Sequence, residues 1–106
     1  MDIPSVVDVL IVKDGQSFVA QCIEHDIAAQ GMTPHDALYD LTRTLAGHVL
    51  LAAETQYGFE NIPPAPDRFR RWFDESKPAD YAAPLFKLPT TLPPEYAIPK
   101  QIIRVR

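Results

Sequence analysis

Three adjacent side chains that can move a proton or bind a metal ion follow the second apolar segment of the chain: Glu24, His25 and Asp26. Together with His35 or His48 they would supply the groups of a small metal-dependent hydrolase. Adjacent residues of a strand point to opposite faces, so the three converge only at a bulge. No metal-ligand spacing such as His-x-x-x-His accompanies them. We therefore predict no catalytic residue, no metal and no cofactor. A hydrolase using Glu24, Asp26 and a histidine stays as the alternative.

Two other reactive side chains have simpler explanations. Cys22 shares a strand face with Phe18 and Ala20, which indicates a small buried apolar residue rather than a nucleophile. His48 lies on the apolar stripe of a predicted helix, where a hydrogen-bonded core histidine is more common than a ligand. The single cysteine also excludes an internal disulfide and agrees with a reducing compartment.

Arginines alternate with aromatic residues in one later segment, where Arg68, Arg70 and Arg71 flank Phe69 and Trp72. Such a group can stack on single-stranded nucleic acid. Arginines on a short helix more often form a solvated face over an aromatic anchor. We favour the solvated face and keep nucleic-acid contact as the alternative.

The elements that must position these residues begin with two strands. Residues 6–13 are β-branched and almost continuously apolar, and they stop at Asp14-Gly15, a strong hairpin-turn pair. Residues 17–24 predict the returning strand, and residues 27–30 predict a short third strand. Both faces of this sheet are apolar, so one face should take a helix. The other face then needs the tail or another subunit as its cover.

A long amphipathic helix follows, from Pro34 to about Tyr57. Thr33 is suited to the N-cap, Pro34 to the first helical position and Asp36 to the first turn. Apolar positions recur at three-and-four spacing along it: Ala37, Leu38, Leu41, Leu45, His48, Val49 and Ala52. Residues 1–58 therefore predict an α+β core with a three-stranded antiparallel sheet and one long helix.

The proline-rich extension, residues 59–106, holds nine of the eleven prolines, which restrict it to short regular segments. A short helix is predicted at 67–76, and a terminal strand at 101–106. Five apolar residues of these elements are predicted to cover the free sheet face or to form an oligomer interface: Phe69, Trp72, Phe73, Ile103 and Val105. The extension is then part of the same domain or of an interface with a neighbouring subunit.

Charge divides unevenly along the 106 residues, whose net charge is -4. Residues 1–58 carry two basic and eight acidic side chains, whereas residues 59–106 carry eight basic and six acidic ones. An acidic core disfavours broad phosphate binding and attracts a basic protein partner. No apolar run approaches the roughly 18 residues of a membrane span. We expect a cytoplasmic protein without a membrane segment.

Residues 18–38, FVAQCIEHDIAAQGMTPHDAL, resemble the core pattern of the HicB-like antitoxin family. The shared features are a strand ending in Cys-x-Glu, a short strand, and Gly-x-Thr-x-x-Asp-Ala leading into a long helix. The resemblance extends over roughly residues 5–55, about half of the chain. It implies a β-β-β-α-β domain of partial RNase H-like fold without a working RNase H site. It also implies a protein that oligomerises and masks a small RNA-cleaving toxin, HicA.

The chain departs from this pattern in two places. Where many members have a Gly-Cys pair, this chain has residues 26–28, Asp-Ile-Ala, so the role of that pair does not carry over. Prolines also interrupt the extension, which leaves no room for the two consecutive helices of a DNA-binding appendage. We therefore expect an oligomeric interaction protein, a homodimer or higher homo-oligomer, that uses Glu24, His25 and Asp26 for its partner. We do not expect this chain alone to bind operator DNA. A solitary HicB-like protein without a toxin partner stays as a further alternative.

Overall fold

The computed structural model describes residues 3–106 and shows, over that range, five strands and two helices. The strands are β1 (Val6–Asp14), β2 (Ser17–Cys22), β3 (Ala28–Gly31), β4 (Lys77–Pro78) and β5 (Lys100–Val105). The helices are α1 (Pro34–Thr55) and α2 (Asp67–Glu75). Neither helix is long and apolar enough to cross a membrane.

The α+β class is confirmed, but the predicted three-stranded sheet is wrong. The sheet has five strands in the order β3-β2-β1-β5-β4. β1, β2 and β3 are antiparallel neighbours, whereas β5 runs parallel to β1 and antiparallel to the short β4. β1 would otherwise leave one edge unpaired, and β5 fills that edge from the far end of the chain. The terminal strand predicted at 101–106 therefore lies inside the same sheet as the 1–58 core.

Helix α1 begins as its sequence predicts. The Asp36 N–H donates to Thr33 Oγ1 at 3.1 Å, and Pro34 occupies the first turn. The helix ends at Thr55, slightly before the predicted Tyr57. Gln56 adopts a left-handed backbone with φ of 66° and closes the helix through its N–H, which donates to the Ala52 carbonyl at 2.9 Å.

One face of the sheet, the inner face, carries the main core. α1 packs over its β3 and β2 part, and residues 79–99 of the extension pack against the same apolar cluster. The buried members of this cluster are Val7, Val9, Ile11, Ala20, Cys22, Ile27, Ala37, Leu38, Leu41, Leu45, Val49, Phe59 and Ile103. The extension is therefore needed to complete the core that α1 covers only in part.

The outer face of the sheet has a smaller cover, supplied by α2. Phe73 packs with Leu10 and Ile23, and the half-buried residues Val12, Phe69 and Trp72 border this cluster. Two apolar residues on this face remain open to solvent, Val6 at 44% exposed and Ile102 at 52%. The outer face is thus divided into a covered half beneath α2 and an open corner.

Gly31 marks a close approach between β3 and the first turn of α1. A Cβ built on Gly31 would lie 2.7 Å from the carbonyl carbon of Asp36 and closer still to the Ala37 nitrogen. These are backbone atoms at the start of a capped helix, so they cannot move aside as a flexible side chain does. The absence of a side chain at Gly31 therefore sets how closely α1 sits on the sheet.

A pair of Gly→Ala substitutions tests this contact. We expect Gly31→Ala to lower the free energy of unfolding by about 2 kcal/mol or more, because the added methyl group overpacks against backbone. Gly47→Ala is the matched control, since a Cβ at Gly47 meets nothing within 4 Å. That change should stabilise the exposed helix position by roughly 0.5–1 kcal/mol. Urea unfolding measures both values, and equal effects would contradict the close approach.

Candidate functional site

The loop between β2 and β3 holds the three residues predicted to bind a partner. It is fixed by backbone hydrogen bonds to the segment that precedes α2. The Asp26 N–H donates to the Pro63 carbonyl at 2.6 Å, and the Ala65 N–H donates to the Ile23 carbonyl at 3.0 Å. The first residues of the extension, before α2, therefore hold the β2–β3 loop in place.

Glu24 is bound through both of its carboxylate oxygens. Oε1 accepts the Asp8 N–H at 2.8 Å, and Oε2 accepts Nη2 of Arg70 at 3.1 Å. The other terminal nitrogen of Arg70 donates to Asp8 Oδ2 at 2.9 Å and lies 3.8 Å from Asp74. One guanidinium thus connects β1, the loop and α2. We call Asp8, Glu24 and Arg70 the carboxylate–arginine bridge.

Burial affects the two ends of this bridge differently. Loss of hydration raises the pKa of Glu24, and this effect outweighs the Asp8 N–H, which favours the ionised form. Burial alone would lower the pKa of Arg70, but its hydrogen bonds and attraction to Asp8 and Glu24 raise it overall. Arg70 therefore stays charged, and Glu24 binds a proton at a higher pH than a solvated glutamate does.

His25 faces the protein and contacts an aromatic side chain. Its Nδ1 lies 3.0 Å from the Ile62 carbonyl, so Nδ1 is the nitrogen that donates. Its ring meets Phe59 edge-on at a centroid distance of 5.3 Å, and His48 approaches the same phenylalanine at 5.8 Å. Phe59 is 1% exposed. The two histidines therefore pack around a core aromatic residue, and a hydrogen bond of His48 stays a prediction.

Asp26 is the exposed member of the predicted partner-binding set. Its carboxylate accepts Nε2 of Gln21 at 3.0 Å, and the same nitrogen lies 2.9 Å from the Cys22 carbonyl. Glu24 and His25 are only half-exposed and are bound to other parts of the chain. Of the three residues, Asp26 alone offers an open carboxylate to another protein.

The structure brings no metal-binding group together in residues 3–106. Over that range no three His, Cys, Asp or Glu side chains are placed to hold one ion. Glu24 binds Arg70, Asp26 binds Gln21, and His25 binds a carbonyl, so the three side chains have separate partners. The hydrolase alternative therefore gains no support from the geometry of this loop.

Cys22 lies at the end of β2 with no exposed surface. Burial raises the pKa of its thiol to about 11, and the nearby Glu24 carboxylate acts in the same direction. The thiol is therefore protonated at neutral pH, and no reagent reaches it without opening the core. This placement agrees with its interpretation as a small apolar residue.

The five residues predicted for an oligomer interface all pack within their own chain. Phe73 and Ile103 are buried, whereas Phe69, Trp72 and Val105 are half-buried. The aromatic triplet of α2 covers the outer sheet face, one of the two roles foreseen for it. Contact of these residues with a second copy stays a prediction.

The sequence did not predict the roles of two central residues of this region, Asp8 and Arg70. Asp8 was grouped with the apolar strand around it, and Arg70 was treated like its neighbours Arg68 and Arg71. Helical phase separates them, because Arg70 lies near the Phe73 side of α2 and its guanidinium is 5.4 Å from that ring. An isolated acid in an apolar strand was the one available signal for an ion pair.

Replacing Arg70 or Arg71 with methionine tests the bridge. We expect Arg70→Met to cost about 1–2 kcal/mol of unfolding free energy, because it leaves Asp8 and Glu24 without their cation. The loss of unfolding free energy is small for an ion pair because Arg70 is 42% exposed and solvent screens its charge. Arg71 is exposed and forms no ion pair within residues 3–106, so Arg71→Met should change stability by less than about 0.5 kcal/mol. Equal losses in chemical denaturation would show that the bridge contributes nothing specific.

Comparison with known proteins adds no relative to this description: no family model, curated protein or solved structure matches the chain.

Proposed function

We propose that this chain is a HicB-like interaction protein that self-associates and masks a small basic RNA-cleaving protein, without catalysing a reaction itself. The order of the elements other than α2 and β4 supports the proposal: β1, β2, β3, α1 and β5 follow the β-β-β-α-β order that the resemblance implies. α2 and the two-residue β4 are additions between the last helix and strand of that arrangement.

The residues that carry the resemblance have defined roles in this fold. Cys22 and Ala37 are fully buried in one cluster, Thr33 caps α1, and Gly31 allows α1 to approach β3. The motif thus describes how a strand pair and a helix pack together. It supports a shared fold, whereas the partner has to be argued from the surface.

The observation that carries the proposal is the solvent-facing side of α1, the outer α1 surface. Asp36, Asp40 and Glu54 lie on this side, because their spacing places them within a narrow sector of the helix. Within residues 3–106, Asp36 and Glu54 form no salt bridge, and Asp40 pairs only with Arg43 at 3.2 Å. Asp36 and Glu54 are therefore acidic groups on this surface that no cation within residues 3–106 neutralises.

Apolar side chains lie beside these acids. Tyr39 is 51% exposed, Leu50 37% and Leu51 52%. Exposed apolar groups bordered by charge are typical of protein-binding surfaces. Asp8 and Glu24 attract a basic partner less than the sequence suggested, because Arg70 forms a salt bridge with each of them. A small basic protein therefore fits the outer α1 surface better than it fits the β2–β3 loop, where Asp26 is the remaining open acid.

Self-association is supported by the open corner of the outer sheet face. Val6 and Ile102 lie there on neighbouring strands and are about half exposed. A second copy that covered this corner would remove both side chains from water. This part of the proposal uses a different surface from the one assigned to the basic partner.

The test first asks whether a small basic protein is encoded beside this chain, and then measures complex formation between the two proteins. We expect one stable complex in size-exclusion chromatography and loss of the partner's RNA cleavage when this chain is added. Glu54→Lys should weaken binding about tenfold, because it replaces attraction with repulsion at the outer α1 surface.

Glu75→Lys is the matched control. It makes the same change of charge at an exposed site in the last turn of α2, which packs on the opposite face of the sheet. Binding should then change by less than about twofold. No complex at about 10 µM of each protein would contradict the masking function. Equal weakening by the two variants would contradict the assignment of the surface, and a chain with no basic neighbour would favour the solitary alternative.

A further inference from the structure

Four cationic side chains lie on α2, on β4 or directly after β5, and these elements are held side by side by strand pairing and by the hydrogen bonds of Arg104. They are Arg68, Arg71, Lys77 and Arg106, and all four are exposed. None of them forms an ion pair within residues 3–106. The two other arginines of this region are already bound: Arg70 holds the bridge, and Arg104 donates to the carbonyls of Phe73 and Ser76. The sequence does not show this grouping, because β5 brings Arg106 back beside α2.

The same end of the molecule presents flat aromatic and guanidinium surfaces. The Arg106 guanidinium carbon lies 3.7 Å from the centre of the Trp72 ring, and that of Arg68 lies 4.7 Å from the centre of Phe69. Phe69 and Trp72 meet edge-on at 5.3 Å. These guanidinium groups rest on rings instead of pairing with carboxylates, so their charge and their outer faces remain available.

A concavity adjoins the stacked Arg106–Trp72 pair. Its volume is about 530 Å³, and its lining includes Trp72, Ser76, Lys77, Val105 and Arg106. This volume lies within the roughly 300–1,000 Å³ range of sites for small organic groups. One planar group with an attached anion would therefore meet both a stacking surface and cations here.

We propose that this basic-aromatic surface, formed by Arg68, Arg71, Trp72, Lys77 and Arg106, binds single-stranded nucleic acid. A base stacks on the Arg106–Trp72 pair, and neighbouring phosphates meet Arg68, Arg71 and Lys77. A duplex keeps its bases stacked on each other and cannot offer a free face to the pair. This activity is additional to partner masking, and it uses the opposite face of the sheet from the outer α1 surface.

Acidic residues of α2 limit the strength of this binding. Glu75 lines the concavity, and Asp67 and Asp74 lie on the same helix. Glu75 repels a phosphate that enters the concavity. Glu75→Gln removes that charge without changing the size of the side chain, so it should strengthen binding. If a base stacked here with no phosphate nearby, the same substitution would leave the affinity unchanged.

The experiment titrates the full-length protein into a fluorescein-labelled oligothymidylate of about twelve nucleotides at about 50 mM salt. Fluorescence anisotropy gives the dissociation constant, and emission from Trp72, the only tryptophan in the chain, reports stacking. We expect saturable binding, a change in Trp72 emission, and a slope of log K against log salt of about -2 for three phosphate contacts. A duplex of the same length and an abasic oligonucleotide should each bind about tenfold more weakly.

Matched substitutions locate the binding. Arg106→Gln and Lys77→Gln should each weaken binding about fivefold, and Glu75→Gln should tighten it. Arg43→Gln removes the same charge from an exposed position on α1 and should change binding by less than about twofold. The proposal fails if no anisotropy change occurs up to about 100 µM protein. It also fails if the duplex, the abasic oligonucleotide or free uridine monophosphate binds as tightly as the oligothymidylate does. The same holds if Arg43→Gln weakens binding as much as Arg106→Gln.

Discussion

The parallel pairing of β5 with β1 is the constraint on which the rest of the structure depends. Val9 of β1 faces Cys22 of β2 on one side and Ile103 of β5 on the other, so the first strand becomes an interior strand of the sheet. The chain must therefore return after α1 to the far edge of β1. Residues 79–99 make that return across the inner face, and α2 is held against the outer face.

The carboxylate–arginine bridge explains why α2 has a fixed position. Leu10, Ile23 and Phe73 form a small apolar contact, which alone would allow a short helix to shift over the sheet. Arg70 of α2 forms salt bridges with an acid from β1 and an acid from the β2–β3 loop, so it fixes the orientation of α2 on the sheet. The bridge also neutralises two acids of the core, Asp8 and Glu24. Asp36 and Glu54 on α1 form no salt bridge within residues 3–106, and neither do Arg68 and Arg71 of α2 on the opposite face of the sheet.

The sequence allowed some of this structure to be predicted, and the reasons are local. Thr33 and Pro34 mark the start of α1, and Asp14-Gly15 marks the first hairpin, because caps and turns depend on a few neighbouring residues. The pairing of β5 with β1 joins residues near opposite ends of the chain, and no local pattern encodes it. Arg70 could not be distinguished from Arg68 and Arg71, because its role depends on where Asp8 and Glu24 lie in space. The stacked Arg106–Trp72 pair was hidden for the same reason.

Alanine substitutions at adjacent positions of β5 test the central pairing most directly. Ile103 is 8% exposed and belongs to the inner core, whereas Ile102 is 52% exposed on the outer face. If β5 lies beside β1 in this register, Ile103→Ala should lower the unfolding free energy by about 2–4 kcal/mol. Ile102→Ala should lower it by less than about 1 kcal/mol. A slip of one residue would exchange the two faces, so equal losses, or a larger loss for Ile102→Ala in chemical denaturation, would contradict this account.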